Sequence, residues 1–259
     1  MTSPALATVS PPGDDASAAR RPRSAAALTA IGLAALVFFG GFLALGVWQL
    51  ERRAWKLDLI ERVDARIHAA PTAAPGPADW PELSAATDEY RRVIAAGTFV
   101  PEKTTLTQAV TEQGAGFWVL APLKTTQGFT VLVNRGFVPA EKRGEAQALT
   151  PSGPAAVTGL LRITEPGGGF LRANDPAADR WTSRDVGAIA SARGLDDAAP
   201  YFIDADATPN PGGLPVGGLT VVAFRNSHLV YALTWFALAA MVAGGAWILF
   251  AHERALRRR

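Results

Sequence analysis

The chain has 259 residues, 49 % of them apolar and only 19 % charged, with a mean hydropathy of +0.13, where an ordinary soluble domain carries roughly 25 % charge. Cysteine is absent and the three histidines (His68, His228, His252) are scattered, which excludes a disulfide framework, a thiolate metal site, covalent c-type heme attachment and a cysteine nucleophile, and weighs against a histidine-built zinc site. The sequence pI of 9.2 comes from the two tails, which hold 7 of the 25 Lys and Arg and 3 of the 23 Asp and Glu; the middle keeps 18 bases against 20 acids, too even for a phosphate-backbone surface, so nucleic acid is not expected as a partner.

Residues 1–24 read as a disordered cytoplasmic tail, Pro-rich with Asp14 and Asp15, a poor fit to a mitochondrial transit peptide. From Ala25 to Gln49 no residue is charged. At about 1.5 Å per residue this run exceeds the roughly 30 Å hydrocarbon layer, and it is too long for a signal-peptide core. Residues 50–70 place Leu50, Trp55, Leu57, Ile60, Val63 and Ile67 near helical spacing, which predicts an amphipathic extension of the first helix as far as Pro71. PTAAPGPADWP, residues 71–81, reads as a linker.

Strand-like runs follow: RRVIAAGTFV, GFWVLAPL and FTVLVNRGFV, the last two joined as a hairpin by Thr125–Gly128, then AAVTGLLRI, PYFID and LTVVAF. One helix is expected between them, capped by Thr182 with Asp185 three residues on and ended by Gly194. TPNPGGLPVGG, residues 208–218, is a Pro/Gly loop. No strand alternates regularly with a 10–15-residue helix, so residues 71–227 predict one mostly-β extracytoplasmic domain, a small barrel or sandwich. A second uncharged run, Leu229–Ala251, gives a second span over 228–251, and 252–259 form a basic cytoplasmic tail. The fold class is a two-span α+β membrane protein. Both tails carry arginines beside a span, but Arg52, Arg53, Lys56, Arg62 and Arg66 follow the first span closely too, so charge alone leaves the orientation open; the cytoplasmic side given to the two tails and the extracytoplasmic side given to the domain are what a family resemblance implies.

Two stretches concentrate chemistry at the ends of the spans. Gly46 to Lys56 puts Trp48 at a membrane boundary, with Arg52, Trp55 and Lys56 three to four residues apart. That pattern reads either as an interfacial anchor on lipid phosphates or as a cationic shelf for an acidic amphiphile. Asn226 to Phe236 opens the second span, and His228, Tyr231 and Trp235 share one helical face. Two spans connect the same two sides, so His228 is expected level with Trp48 and Gln49. An imidazole there is either a polar cap at headgroup level or an axial ligand for heme iron with aromatics suited to a porphyrin. In VLVNRGFVP, residues 131–139, Asn134-Arg135-Gly136 is a polar break where Arg135 is expected to pair with a carboxylate, or to belong to a partner-contact loop. Phe170 to Asp175 with Trp181 and Asp185 reads as loop packing, or as a surface with exposed aromatics. No nucleophile elbow, P-loop, dinucleotide fingerprint or His-Glu-x-x-His occurs, so no enzyme is expected.

In order and spacing, Gly46, Trp48-Gln49, Arg52, Lys56, VLVNRGFVP, Phe170, Asn174, Trp181, Asp185, Asn226, His228, Tyr231, Thr234 and Trp235 resemble the Surfeit locus protein 1 family of cytochrome c oxidase assembly factors. The family pattern usually has Trp at Phe137 and Asn at Ser227. The resemblance implies a two-span protein of the bacterial inner membrane with its central domain in the periplasm, the mitochondrial inner membrane being the other setting. It implies a chaperone that binds heme a transiently and aids its insertion into the catalytic subunit of the oxidase. It further implies heme a synthase and membrane lipids as partners. On that reading His228 ligates the heme iron, Trp48, Tyr231 and Trp235 line the ring, and Arg52, Arg53 or Lys56 meet the propionates. The alternative is a membrane scaffold that stabilises an oxidase subunit without heme.

Overall fold

A computed structural model describes residues 23–169, 171–220, 222 and 224–258. The chain divides into two compact units, Met1–Trp55 with Asn226–Arg259, and Lys56–Arg225.

In the first unit, helix α1 (Ala25–His68) begins here and continues without a break into the second unit, and α4 (His228–Arg257) closes the chain. Both are long and apolar enough to cross a membrane. Leu36, Val37 and Phe38 on α1 and Leu233, Met241 and Trp247 on α4 are exposed, as side chains facing lipid would be. Residues 1–22 of the tail lie outside the described residues; Arg23 and Ser24 are tied to the two helices. The Ser24 hydroxyl accepts from the Ala27 N–H (3.2 Å), and Arg23 donates its backbone N–H (3.0 Å) and Nη1 (3.3 Å) to buried Glu253. The basic segment from His252 is likewise helical as far as Arg257.

The second unit is the β domain. Its strands are β1 (Thr72–Ala73), β2 (Arg92–Phe99), β3 (Thr105–Thr111), β4 (Gly114–Thr125), β5 (Thr130–Pro139), β6 (Pro154–Ile163) and β7 (Ala198–Ala205), with the one-turn helix α2 (Ala85–Asp88) between β1 and β2. They lie in the order β1-β2-β6-β7-β5-β4-β3, and β4 pairs back onto β2 through Gly97 to Phe99. Five strands therefore close into a barrel, which decides between the two architectures expected from the sequence and removes the barrel's open edges. β2 alternates buried and exposed positions, whereas β5 is buried from Thr130 to Val138. The reason is two-sided cover. Val131 and Val133 face the barrel core with Val93, Phe129 and Tyr201, while Leu132 packs outward with Trp181, Ile189 and Phe202 under helix α3 (Val186–Arg193).

Several local expectations are corrected. Residues 71–81 are not a free linker: β1 pairs in parallel with β2, Trp80 meets Phe129 edge-on at 5.7 Å, and the Pro75 carbonyl accepts from Trp80 Nε1 and the buried Tyr201 hydroxyl. The Tyr201 hydroxyl and the Trp80–Phe129 contact tie this Pro-rich segment to the barrel, and the Trp80 Nε1 bond folds the segment on itself. β3 was not expected. The cap of α3 is Asp185, whose Oδ1 accepts from the Ala188 N–H at 3.1 Å; Thr182 instead donates to the Arg172 carbonyl, and Gly194 ends the helix as expected. In LTVVAF, the described residues Leu219, Thr220, Val222 and Phe224 are not strand, and Val221 and Ala223 lie outside the described residues.

The polar break in β5 is structural. Asn134 and Arg135 are each 4 % exposed, which removes the partner-contact reading. Asn134 Nδ2 donates to Asp204 (2.7 Å). Arg135 has no carboxylate partner among the described residues; its Nη1 donates to the Leu149 carbonyl and Nη2 to the Asn210 side chain. Gly136 has φ +130°, and a Cβ there would sit 2.2 Å from the Val216 carbonyl oxygen, the acceptor and donor residue that bridges Phe137. Gly136→Ala is therefore expected to destabilise the domain by about 2–3 kcal/mol, lowering its thermal midpoint by roughly 5–10 °C, as calorimetry would read.

Asp204, 2 % exposed, is the hub of an ionic network at β5, β6 and β7. It accepts from Asn134, Arg162 (2.7 Å), Arg184 (3.1 Å) and the Thr220 hydroxyl (2.9 Å). Arg162 also pairs with Glu89 (2.7 Å), and both guanidinium groups lie over the Phe202 ring. Burial opposes ionisation of Glu165, but hydrogen bonds and charge from Arg184, with Arg162 nearby, outweigh it and hold the carboxyl below the usual glutamate range. Its stabilisation is thus full above about pH 4.3, the unfolded value, and is lost as pH falls through the lower folded value. Glu165→Gln is expected to flatten the loss of thermal midpoint below pH 4 relative to the parent chain.

Candidate functional site

The candidate site lies in the helical unit, where α4 begins beside α1. Gly46 makes the approach possible. It is buried, and a Cβ there would fall 2.4 Å from Cε1 of Phe236. Three residues on, one helical turn away, Gln49 Oε1 lies 2.8 Å from His228 Nδ1. An amide oxygen only accepts, so the bond puts the imidazole proton on Nδ1 and leaves a lone pair on Nε2. This is the tautomer that a metal ligand needs, fixed by a neighbour in the way outer partners fix ligating histidines.

The other sequence-predicted residues divide. Trp235, half-buried, stacks on Phe42 at 5.7 Å and 24°, and Phe42 stacks in turn on Phe38. Trp48 and Tyr231 are 50 % and 55 % exposed; they flank Gln49 and His228 in sequence, and exposed aromatic faces are what a flat apolar ligand would cover. Arg52 lies over the Trp55 ring at 4.5 Å, and Arg53 is half-buried. Lys56 belongs to the β unit, where its ammonium lies 4.7 Å from the centre of the Phe224 ring. Ser227 precedes α4 without a side-chain cap bond, and His228 is the helix's first residue.

Sequence reasoning left two residues without a role. Gln49 was legible only as a neighbour of Trp48, because nothing local says which residue of another helix meets it. Asn226 Oδ1 is buried with no hydrogen-bond partner among the described residues, two residues before the histidine. The Trp181 segment is loop packing: Trp181 is 1 % exposed and donates Nε1 to Asp179 (2.7 Å), while Asn174 Oδ1 accepts from the N–H groups of Thr182 and Ser183. Phe170 lies outside the described residues.

Close packing at Gly46 makes a direct prediction. In a chain with no native cysteine, a Gln49→Cys/His228→Cys pair is expected to cross-link readily with a short bismaleimide. Adding Gly46→Leu should cut the yield several-fold by forcing Phe236 and its helix away.

Comparison with known proteins adds the family. The SURF1 family model matches residues 36–240. The chain is 38 % identical over 217 residues to Surfeit locus protein 1 of Rattus norvegicus, covering 76 % of this chain and 68 % of the rat protein. It is 38 % identical over 218 residues to that of Homo sapiens, covering 76 % and 69 %. A SURF1-like protein of Caenorhabditis elegans is 32 % identical over 222 residues, covering 75 % and 66 %. The matched range takes in the Gln49–His228 pair, most of α1, the first part of α4 and the whole barrel, and the chain belongs to the SURF1 family, the family of cytochrome c oxidase assembly factors.

Proposed function

We propose that this chain is an assembly factor of heme a-containing cytochrome c oxidase that holds heme a at the outer membrane boundary and releases it to the catalytic subunit. The observation that carries the reading is the Gln49–His228 hydrogen bond, which leaves Nε2 with a free lone pair at the start of an apolar helix. Heme a, when bound, supplies an iron open to an imidazole nitrogen, an apolar ring and two carboxylates at its polar edge. The residues present fit that group. His228 Nε2 would hold the iron, with Trp48, Tyr231 and Trp235 giving aromatic cover. Arg52 or Arg53 would meet propionates through charge-assisted hydrogen bonds.

The chain changes no covalent bond of the cargo in this role; a single imidazole ligand and a few exposed aromatics suit a cargo that must leave again. We place the protein in a bacterial plasma membrane with the β domain in the periplasm, receiving heme a from heme a synthase and contacting lipids through its helices. The test is complementation. In a strain lacking the gene, heme a per oxidase complex in isolated membranes should return to normal with the parent chain and stay low with His228→Ala at equal protein level. Full restoration by His228→Ala would reject the ligand role.

A further inference from the structure

The mouth of the barrel carries an unassigned cation. Side chains alternate along β5, so Arg135 follows Val131 and Val133 on the core side, and its guanidinium lies 5.4 Å from the centre of the Phe99 ring. Beside it opens a cleft of about 190 Å³, walled by Phe99, Val133, Ala155, Val157 and Ala205. Arg135 is 4 % exposed, yet no carboxylate pairs with it among the described residues. Nη1 donates to the Leu149 carbonyl (2.6 Å) and the Thr150 hydroxyl (3.4 Å), and Nη2 to Asn210 Oδ1. Nε–H and the second Nη2–H have no protein acceptor among the described residues, and Nε and Nη2 form the side edge that a carboxylate grips with two parallel bonds.

A buried charge without a counter-charge is costly. Burial alone pulls this guanidinium down to about 10, in keeping with an environment that lacks the anion it favours.

We propose that this mouth binds a monoanionic carboxylate carrying a short aliphatic group, with the chain against the apolar wall and the carboxylate on the Nε/Nη2 edge of Arg135. The volume sets the size: at about 30 Å³ per water-sized group the cleft holds roughly six heavy atoms. Charge sets the valence. The acidic residue among the described lining is Asp206, whose Oδ1 already accepts from the Thr208 N–H (3.0 Å) and hydroxyl (2.6 Å); one negative neighbour against one cation tolerates a monoanion and disfavours a phosphate dianion. Apolar walls with a few fixed polar groups are the usual make-up of a small-molecule site at a barrel mouth.

The experiment is ¹⁹F NMR of the full chain in detergent, titrated with 4-fluorobutyrate and, separately, with 4-fluorobutanol and inorganic phosphate as competitor. Saturable broadening of the carboxylate with a Kd on the order of millimolar is expected for a ligand this small, with no saturable response to the alcohol and no displacement by phosphate. Arg135→Gln, which keeps amide donors toward Leu149, should weaken binding at least tenfold. Ala155→Leu, which fills the cleft and leaves Arg135 in place, should do the same, and it decides the matter if Arg135→Gln fails to fold by circular dichroism. No saturable response in the parent chain, equal binding of the alcohol, or unchanged affinity in a folded variant would overturn the proposal.

Discussion

Replacing His228 with alanine is expected to reduce the heme a retained per chain at least tenfold when the protein is made in cells that synthesise heme a. The expectation follows from the one feature that distinguishes His228 from His68 and His252: its Nδ1 is committed to Gln49 Oε1 at 2.8 Å, so the proton is fixed on one nitrogen and the lone pair on the other. His68 Nδ1 instead faces its own helix, at the Asp64 carbonyl. His68→Ala is therefore expected to leave heme content unchanged. Gln49→Leu keeps the imidazole but removes the group that sets its tautomer and angle; losses of about tenfold are typical when such an outer partner of a metal-binding histidine is removed. The graded series of no loss, intermediate loss and near-complete loss in the absorption spectrum is specific to ligation. A histidine that only caps α4 would give three similar spectra.

Asp204→Ala is expected to be the most damaging single change in the β domain. Four donors converge on this carboxylate, two of them the guanidinium groups of Arg162 and Arg184, whose side chains are 12 % and 14 % exposed. Removing it leaves two mostly buried cations and the Asn134 amide short of an acceptor. Breaking a buried pair from one side costs about 3–5 kcal/mol, which for a domain of this size lowers the thermal midpoint by roughly 10–15 °C. Asp204→Asn keeps an acceptor oxygen and should lose less. Calorimetry of the purified protein checks both, and heme content measured below the melting range should be unaffected, because His228 and Gln49 lie in the helical unit.

How much of this was legible in the sequence depends on whether the information is local. The apolar helices announce themselves, because 25 and 23 consecutive uncharged residues have few other homes. β4 and β5 were visible with their hairpin, since alternation and a Thr-Thr-Gln-Gly turn are short-range signals. β3 alternates as cleanly, with Thr105, Thr107 and Ala109 buried, but its inward positions are mostly threonines and a hydrophobic pattern passes over them. Pro71 to Pro81 was misread because proline and glycine speak of turns, while the bonds that dock this segment come from Tyr201, far along the chain. The same limit governs Asn134 and Arg135. Their polarity amid apolar neighbours marked them as special, but it could not say that Asn134 would meet Asp204 and that Arg135 would be left without a carboxylate. Closure of the barrel through β2 and β4, and the meeting of Gln49 with His228, are long-range facts of the same kind.

The most direct measurement is the ratio of heme a to protein, from the absorption spectrum of the detergent-purified chain produced alongside heme a synthesis. One heme a per chain, lost with His228→Ala, is the predicted result. A colourless chain that still co-purifies with an oxidase subunit would contradict it and make the protein a scaffold whose His228 only caps a helix.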